Sequence, residues 1–131
     1  MSVAVSLDAL HARVDEFGPV AYLVTVGGSG APHIVSVSVS WSADRLVMGA
    51  GRTSARNVAA GGTVTLLWPP CGADGPYSLL VDGRGEVLPR GADDDDTRVA
   101  FSPTTAVLHR SAQADPSGPR CVAIDGGAGP A

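Results

Sequence analysis

A chain of 131 residues with 44% hydrophobic residues is long enough to form one domain with a buried core. The formal net charge is −4 and there is no broad basic patch, which argues against a nucleic-acid partner. All nine cationic side chains are arginines, so chemistry that needs a Schiff-base or phosphate-loop lysine is excluded.

Neither a membrane segment nor a metal site is indicated. No stretch approaches the ~18 apolar residues of a transmembrane helix, and no secretory leader pattern opens the chain. The three histidines (His11, His33 and His109) are scattered, without metal-ligand spacing. Cys71 and Cys121 lie far apart, which is typical of free thiols rather than a disulfide framework. We therefore expect a cytoplasmic protein without a metal.

The N-terminal segment predicts one short amphipathic helix. Apolar residues recur at helical spacing over residues 6–17, Ser6 is a suitable cap, and Gly18-Pro19 ends the pattern. We expect residues 1–5 and 126–131 to be frayed ends of a single domain that spans the chain.

The next two segments predict a β-hairpin. Residues 20–26 are compact and apolar, a glycine-rich turn follows at 27–30, and residues 32–41 alternate strictly. One face of the second strand carries Val35, Val37, Val39 and Trp41, and the other carries Ile34, Ser36, Ser38 and Ser40.

The serine row has two interpretations. It is either a plain solvent-exposed face or a bed of small polar groups against which a flat heterocycle lies. Serine is a mediocre strand former, and a solvated face more often carries longer polar side chains.

A third strand at 45–50 leads into the segment GAGRTSARN and a short helix that ends near Ala60. Glycines let a backbone approach a ligand, and Thr53 or Ser54 can cap the helix. Arg52 and Arg56 add donors suited to a phosphate group. The segment is thus either a phosphate-binding helix start or an ordinary helix cap with two solvated arginines.

The remainder predicts further short strands. We expect strands at 63–68, at 77–88 with a bulge at Gly83 or Gly85, and at 121–124. The aspartate run at 93–96 is typical of a solvated turn. Residues 97–109 favour a strand interrupted by Pro103 over a helix. Short strands separated by glycine indicate a mainly antiparallel barrel or sandwich.

In their order, the motifs PHIVSVSVSW, GAGRTSARN, TLLW and YSLLVDGRGEV resemble the pyridoxamine 5′-phosphate oxidase-like, FMN-binding split-barrel family. The resemblance implies a mainly β split barrel of six or seven mostly antiparallel strands, with an N-terminal helix and a short helix after the third strand. It also implies a homodimer that holds FMN, or a deazaflavin coenzyme in some branches.

The resemblance also assigns candidate cofactor-binding residues. Ser54 and Arg56 match the family's phosphate-binding hydroxyl and cation. The wider set comprises Ser36, Val37 and Ser38 beside the flavin ring, Arg52 and Thr53 beside the phosphate, and Trp68 near the site or the dimer rim. No catalytic residue is assigned, because Tyr22, Tyr77 and His33 are better explained as structural than as proton donors.

Two departures from the family pattern limit the activity that we expect. Ile34 stands where some members have a second cation, and the sequence VAIDGGAGPA lacks the arginine and histidine that bind substrate in the true oxidase. We therefore expect a small flavin- or deazaflavin-dependent reductase or oxidase with an unidentified substrate, not a pyridoxamine phosphate oxidase. The alternative is a non-catalytic module that binds a cofactor, haem or another small anion.

Overall fold

Seven β-strands and two α-helices make up the part of the chain that the computed structural model describes, residues 2–71, 75–90 and 97–111. The strands are β1 (Ser2–Val5), β2 (Val20–Val26), β3 (Pro32–Ser42), β4 (Arg45–Ala50), β5 (Thr63–Trp68), β6 (Ser78–Val87) and β7 (Thr97–His109). The helices are α1 (Leu7–Phe17) and α2 (Arg52–Ala59).

Six of the strands close into an antiparallel barrel. Their order is β7-β4-β3-β2-β5-β6, and β6 pairs back onto β7 along almost its whole length. Strand β1 lies outside the barrel and pairs with the end of β7. The predicted split-barrel fold is confirmed.

Helix α1 seals part of the barrel core because its apolar residues recur on one face. Leu10, Val14 and Phe17 are buried in the same cluster as the inward-facing strand residues. Burying an aliphatic or aromatic side chain of this size contributes about 1.5–3 kcal/mol. The hydroxyl of Ser6 accepts a hydrogen bond from the backbone N–H of Ala9 at 3.3 Å, so the predicted cap is confirmed.

Strands β3 and β4 pair over only part of their length. Their pairing runs from Ser42–Arg45 to Val39–Met48, and the earlier residues of β3 pair with β2 alone. Beyond Met48, β4 continues along β7 and ends at Ala50. This separation opens a groove between the two strands, next to the start of α2.

Strand β7 is continuous through Pro103, so the predicted interruption is wrong. On one side β7 pairs with β4 up to Phe101 and with β1 from Ala106, which leaves Pro103 without a partner strand on that side. The missing N–H of proline therefore costs no ladder hydrogen bond there. The register with β6 shifts between Asp82 and Gly83, where the sequence predicts a bulge.

Residues 2–5 form β1 rather than the frayed end that we expected. Four residues are too few for a local pattern, and their partner strand lies at the far end of the chain. The predicted turn at 93–96, the predicted strand at 121–124, Cys121 and the tail at 126–131 lie outside the described residues. Within those residues, no helix has the length and hydropathy required to cross a bilayer.

Candidate functional site

The serine row lies along the groove that opens where β3 and β4 separate. Ser36 and Ser38 are exposed, whereas the side chain of Val37 is buried on the other face of β3. The backbone of Val37 pairs with Ala21 of β2. The groove has a volume of about 390 Å³, and we call it the serine groove. It is lined by Ser36, Val37, Ser38, Gly49, Ala50 and Gly51.

A second groove of about 530 Å³ lies between α2 and the turn that connects β2 to β3, and we call it the arginine groove. Helix α2 contributes Thr53, Arg56 and Asn57 to its walls. The hairpin contributes residues 27–29 and His33. A guanidinium group, a hydroxyl and an imidazole therefore line one concave surface.

Helix α2 is held in place by its buried face. The side-chain amide of Asn57 donates a hydrogen bond to the Thr25 hydroxyl at 3.0 Å, and both residues are buried. Val58 packs over Gly85 so closely that a Cβ there would lie 2.8 Å from a Val58 methyl group. These contacts leave the face that carries Arg56 turned toward solvent.

The first turn of α2 has no side-chain cap. Gly51 is the N-cap residue and has no side chain to cap the free N–H groups, so the prediction that Thr53 or Ser54 caps the helix is wrong. No acidic residue occupies the first turn either. Free N–H groups at a helix start carry partial positive charge and attract anions.

The two hydroxyl residues of this turn point in different directions. Ser54 is only 1% exposed, and its hydroxyl has no hydrogen-bond partner. Thr53 is exposed and lines the arginine groove. The exposed hydroxyl of this turn is therefore that of Thr53, whereas the Ser54 hydroxyl that the resemblance favours is buried and unpartnered. Sequence spacing misses this because the helix phase depends on how α2 packs.

The arginines remain available, although they do not share one wall. Arg52 and Arg56 are both exposed, and neither forms an ion pair with any residue that the structure describes. Arg56 lines the arginine groove, whereas Arg52 lines neither groove.

Trp68 belongs to the core rather than to the site. It is 1% exposed, and its indole N–H donates to the carbonyl oxygen of Gly18 at 2.9 Å. It lines neither of the two grooves.

His33 was missed as a groove residue because the β2–β3 turn meets α2 only in the folded chain. Its signal in the sequence is weak: a histidine that directly follows a glycine-rich turn. Among the described residues, no group of three or more histidines, cysteines and carboxylates is placed to hold a metal ion.

Comparison with known proteins identifies relatives by sequence. No protein-family model matches the chain. The uncharacterized protein Mb0449c of Mycobacterium bovis is 38% identical over 121 residues, which covers 85% of this chain and 84% of that protein. The uncharacterized protein MT0457 of Mycobacterium tuberculosis matches to the same extent. The chain belongs to their family.

Solved structures identify the fold. A general stress protein 26-related protein of the pyridoxinephosphate oxidase family from Clostridium acetobutylicum aligns with a TM-score of 0.62 at 14% identity, over 81% of this chain and 91% of that one. An FAD-binding protein from Mycobacterium smegmatis aligns with a TM-score of 0.59 at 15% identity, over 84% and 100% of the two chains. The chain therefore has the pyridoxamine 5′-phosphate oxidase-like split-barrel fold.

Other proteins with this fold are named for different ligands. An F420 reductase aligns with a TM-score of 0.53 at 20% identity, over 68% of this chain and 90% of that one. The heme storage protein HutZ from Vibrio cholerae aligns with a TM-score of 0.59 at 13% identity, over 77% and 94% of the two chains. The fold alone therefore does not select the ligand.

Proposed function

We propose that this chain is a cytoplasmic flavin-binding protein that transfers hydride or electrons to a small molecule, with FMN as the cofactor and a deazaflavin coenzyme as the alternative. The observation that carries the proposal is that both grooves border the same first turn of α2. Gly51 lines the serine groove and Thr53, two residues later, lines the arginine groove. A ligand with a planar ring and a charged tail would fit this arrangement, with its ring in the serine groove and its tail in the arginine groove.

The residues of the serine groove fit the ring. Ser36 and Ser38 have small polar side chains, and their hydroxyls can bond the polar edge of a heterocycle. A Cβ built at Gly49 or Gly51 would meet no atom within 4 Å, so the opposite wall is open for close approach to the backbone. Besides these hydroxyls, the backbone groups of Ser36 and Ser38 that face β4 are available, because β3 pairs with β4 only from Val39 onward.

The residues of the arginine groove fit the phosphate. Arg56 offers a planar fork of donors and Thr53 offers a hydroxyl. The uncapped first turn of α2 adds backbone N–H groups. Arg52, outside the grooves, adds positive potential at the same end of the helix.

A bound flavin would supply hydride or electron transfer, which side chains cannot perform. The role of this chain is then to bind and orient the ring with Ser36 and Ser38 and to anchor the tail with Arg56. The phosphate anchor fixes how far along β3 the ring lies.

We also propose that the protein is a homodimer through the outer face of β2 and β3. Val20, Tyr22, Val26 and Ile34 are 56%, 41%, 54% and 59% exposed on this face. In the strand register Tyr22 lies opposite Ser36 and Val20 opposite Ser38, so the apolar row borders the serine row. Packing against a second copy would remove this surface from water and cover the ring.

Sedimentation of the purified protein tests the dimer. The wild-type chain is expected to sediment as a dimer and Ile34→Glu as a monomer, because a charge would be buried at the interface. Val3→Glu, at a 49% exposed position on β1, is the matched control and should remain dimeric. A monomeric wild-type protein would contradict the dimer without bearing on flavin binding.

A second candidate is a non-catalytic module that binds a cofactor, haem or another small anion. It is favoured by the lining of the grooves, which contains no carboxylate among the described residues. His33 lies in the arginine groove, and imidazole is a common ligand of haem iron. Steady oxidation of a reduced flavin or deazaflavin by any acceptor would contradict this candidate.

The experiment that tests the proposal is an absorbance and mass measurement on the protein as isolated, followed by titration with FMN, deazaflavin coenzyme and haem. We expect flavin absorbance, or saturable binding of added FMN or deazaflavin. Binding of haem alone would favour the second candidate. No binding of any of the three would contradict both.

A further inference from the structure

A cavity of about 390 Å³ lies between the start of α1, the turn from β3 to β4, and β7, apart from the residues of both grooves. Most of its lining is apolar and comes from Leu7, Leu10, Trp41, Ala43 and Pro103. Leu7 is half exposed, so an apolar side chain is left in contact with water. A small ligand with an apolar body would cover it.

One wall of the cavity is a stacked pair of rings. The rings of His11 and Trp41 lie 4.6 Å apart between centroids and are tilted by 16°. His11 Nδ1 lies 3.2 Å from an oxygen of Asp15, which helps to fix the imidazole. Ala43, in the adjoining turn, has a φ of 57°, a conformation that is uncommon for a residue with a Cβ. The wall is thus ordered before any ligand binds.

The charges at the cavity are mainly negative. Asp8 lines it from the first turn of α1 and Asp44 from the β3–β4 turn. Neither carboxylate has a hydrogen bond or an ion pair with the residues that the structure describes. No arginine lines the cavity, and His11, which Asp15 contacts, is its remaining titratable group.

We propose that this cavity is a second binding site, for a small organic cation with a flat apolar body, such as an arylalkylamine. The ammonium group would lie between Asp8 and Asp44, and the body would pack against Leu7 and the Trp41 ring. Aromatic faces and carboxylates both favour cations. Because no residue is shared with either groove, the site is independent of flavin binding.

The test is a titration followed by the NMR signals of the two tryptophan indole N–H groups. Benzylamine is the probe, benzyl alcohol is the neutral probe of similar shape, and benzyltrimethylammonium replaces the ammonium hydrogens by methyl groups. Benzylamine is expected to shift the Trp41 signal saturably. The Trp68 signal is an internal control and should stay in place, since Trp68 is buried and bonded to Gly18.

Variants that remove one carboxylate at a time test whether Asp8 and Asp44 bind the ammonium group. Asp8→Asn and Asp44→Asn should each weaken benzylamine binding about 1.5- to fivefold, the usual range for one solvent-exposed ion pair. Glu16→Gln, near the other end of α1 and outside the cavity, removes the same charge and should leave benzylamine affinity unchanged. Weaker binding of benzyltrimethylammonium than of benzylamine would support direct N–H bonds to the carboxylates, and equal binding would support stacking on the rings.

Equal binding of benzyl alcohol and benzylamine would overturn the proposal, as would a Trp41 signal that does not move. Unchanged affinity in both aspartate variants would also overturn it. None of these outcomes depends on whether FMN binds.

Discussion

The two helices of this barrel begin in different ways. Helix α1 starts with a Ser6 cap, and Asp8 in its first turn offsets the positive end of the helix dipole. Helix α2 starts at Gly51, without a side-chain cap or an acidic residue, and carries Arg52 and Arg56 instead. A side-chain cap and a carboxylate therefore satisfy the start of α1, whereas the start of α2 keeps its partial positive charge.

This difference separates a structural helix from a ligand-facing one. The buried face of α1 contributes to the core, and its start is capped by Ser6. The buried face of α2 is fixed by Asn57 and Val58, while its start opens between two grooves. Changes to α1 should therefore alter stability, and changes to the start of α2 should alter anion binding.

The largest expected effect comes from Leu10→Ala on α1. Leu10 is 1% exposed, so the truncation leaves a cavity and should lower the free energy of unfolding by about 2–5 kcal/mol. Urea denaturation measures this. Leu7→Ala on the same helix, at a half-exposed position, should cost far less. If the folded Leu10 variant also lost FMN affinity, the separation between the two helices would not hold.

The next effect is on binding, from Arg56→Gln. The variant loses a charge-assisted hydrogen bond worth about 1.5–3 kcal/mol, so its affinity for FMN should fall about 10- to 150-fold. Riboflavin, which lacks the phosphate, should bind as it does to the wild type in the same fluorescence titration. Arg13→Gln on α1 is the control and should leave FMN affinity unchanged. A parallel loss of riboflavin affinity would indicate damage to the ring site instead.

Gly51→Asp should make the start of α2 resemble that of α1. The backbone of Gly51, with φ of −73°, accepts any residue, and an added Cβ meets no atom within 4 Å. Stability should change by only a few tenths of a kcal/mol. A carboxylate at this position should repel the phosphate and lower the affinity for FMN about tenfold, which corresponds to about 1.4 kcal/mol of binding free energy. Gly51→Asn is the uncharged control, and an equal loss there would point to a steric cause.

The smallest effect is expected from Ser6→Ala. Loss of the cap should lower the free energy of unfolding by about 1 kcal/mol and leave FMN affinity unchanged. Ser6→Asp keeps an acceptor and should retain most of the stability. Equal stability of the alanine and aspartate variants would mean that the Ser6 hydrogen bond contributes nothing.

Local patterns predict the elements that depend on near neighbours. The alternation in β3, the capped α1 and the C-terminal end of α2 are all readable from residues close in sequence. Contacts between segments that are distant in sequence cannot be read from local patterns. Strand β1 depends on the end of β7, and the direction of Ser54 depends on how α2 packs. The resemblance places Trp68 near the site or the dimer rim, whereas the structure buries its side chain in the core.

The ratio of FMN to riboflavin affinity in the wild-type protein tests the central claim most directly. Both molecules carry the same ring, so the ratio isolates what the protein gains from the phosphate. If the start of α2 with Arg56 binds that phosphate, FMN should bind at least about tenfold more tightly, the equivalent of a single charge-assisted bond. Equal affinities would contradict the claim that this end of the barrel binds an anion.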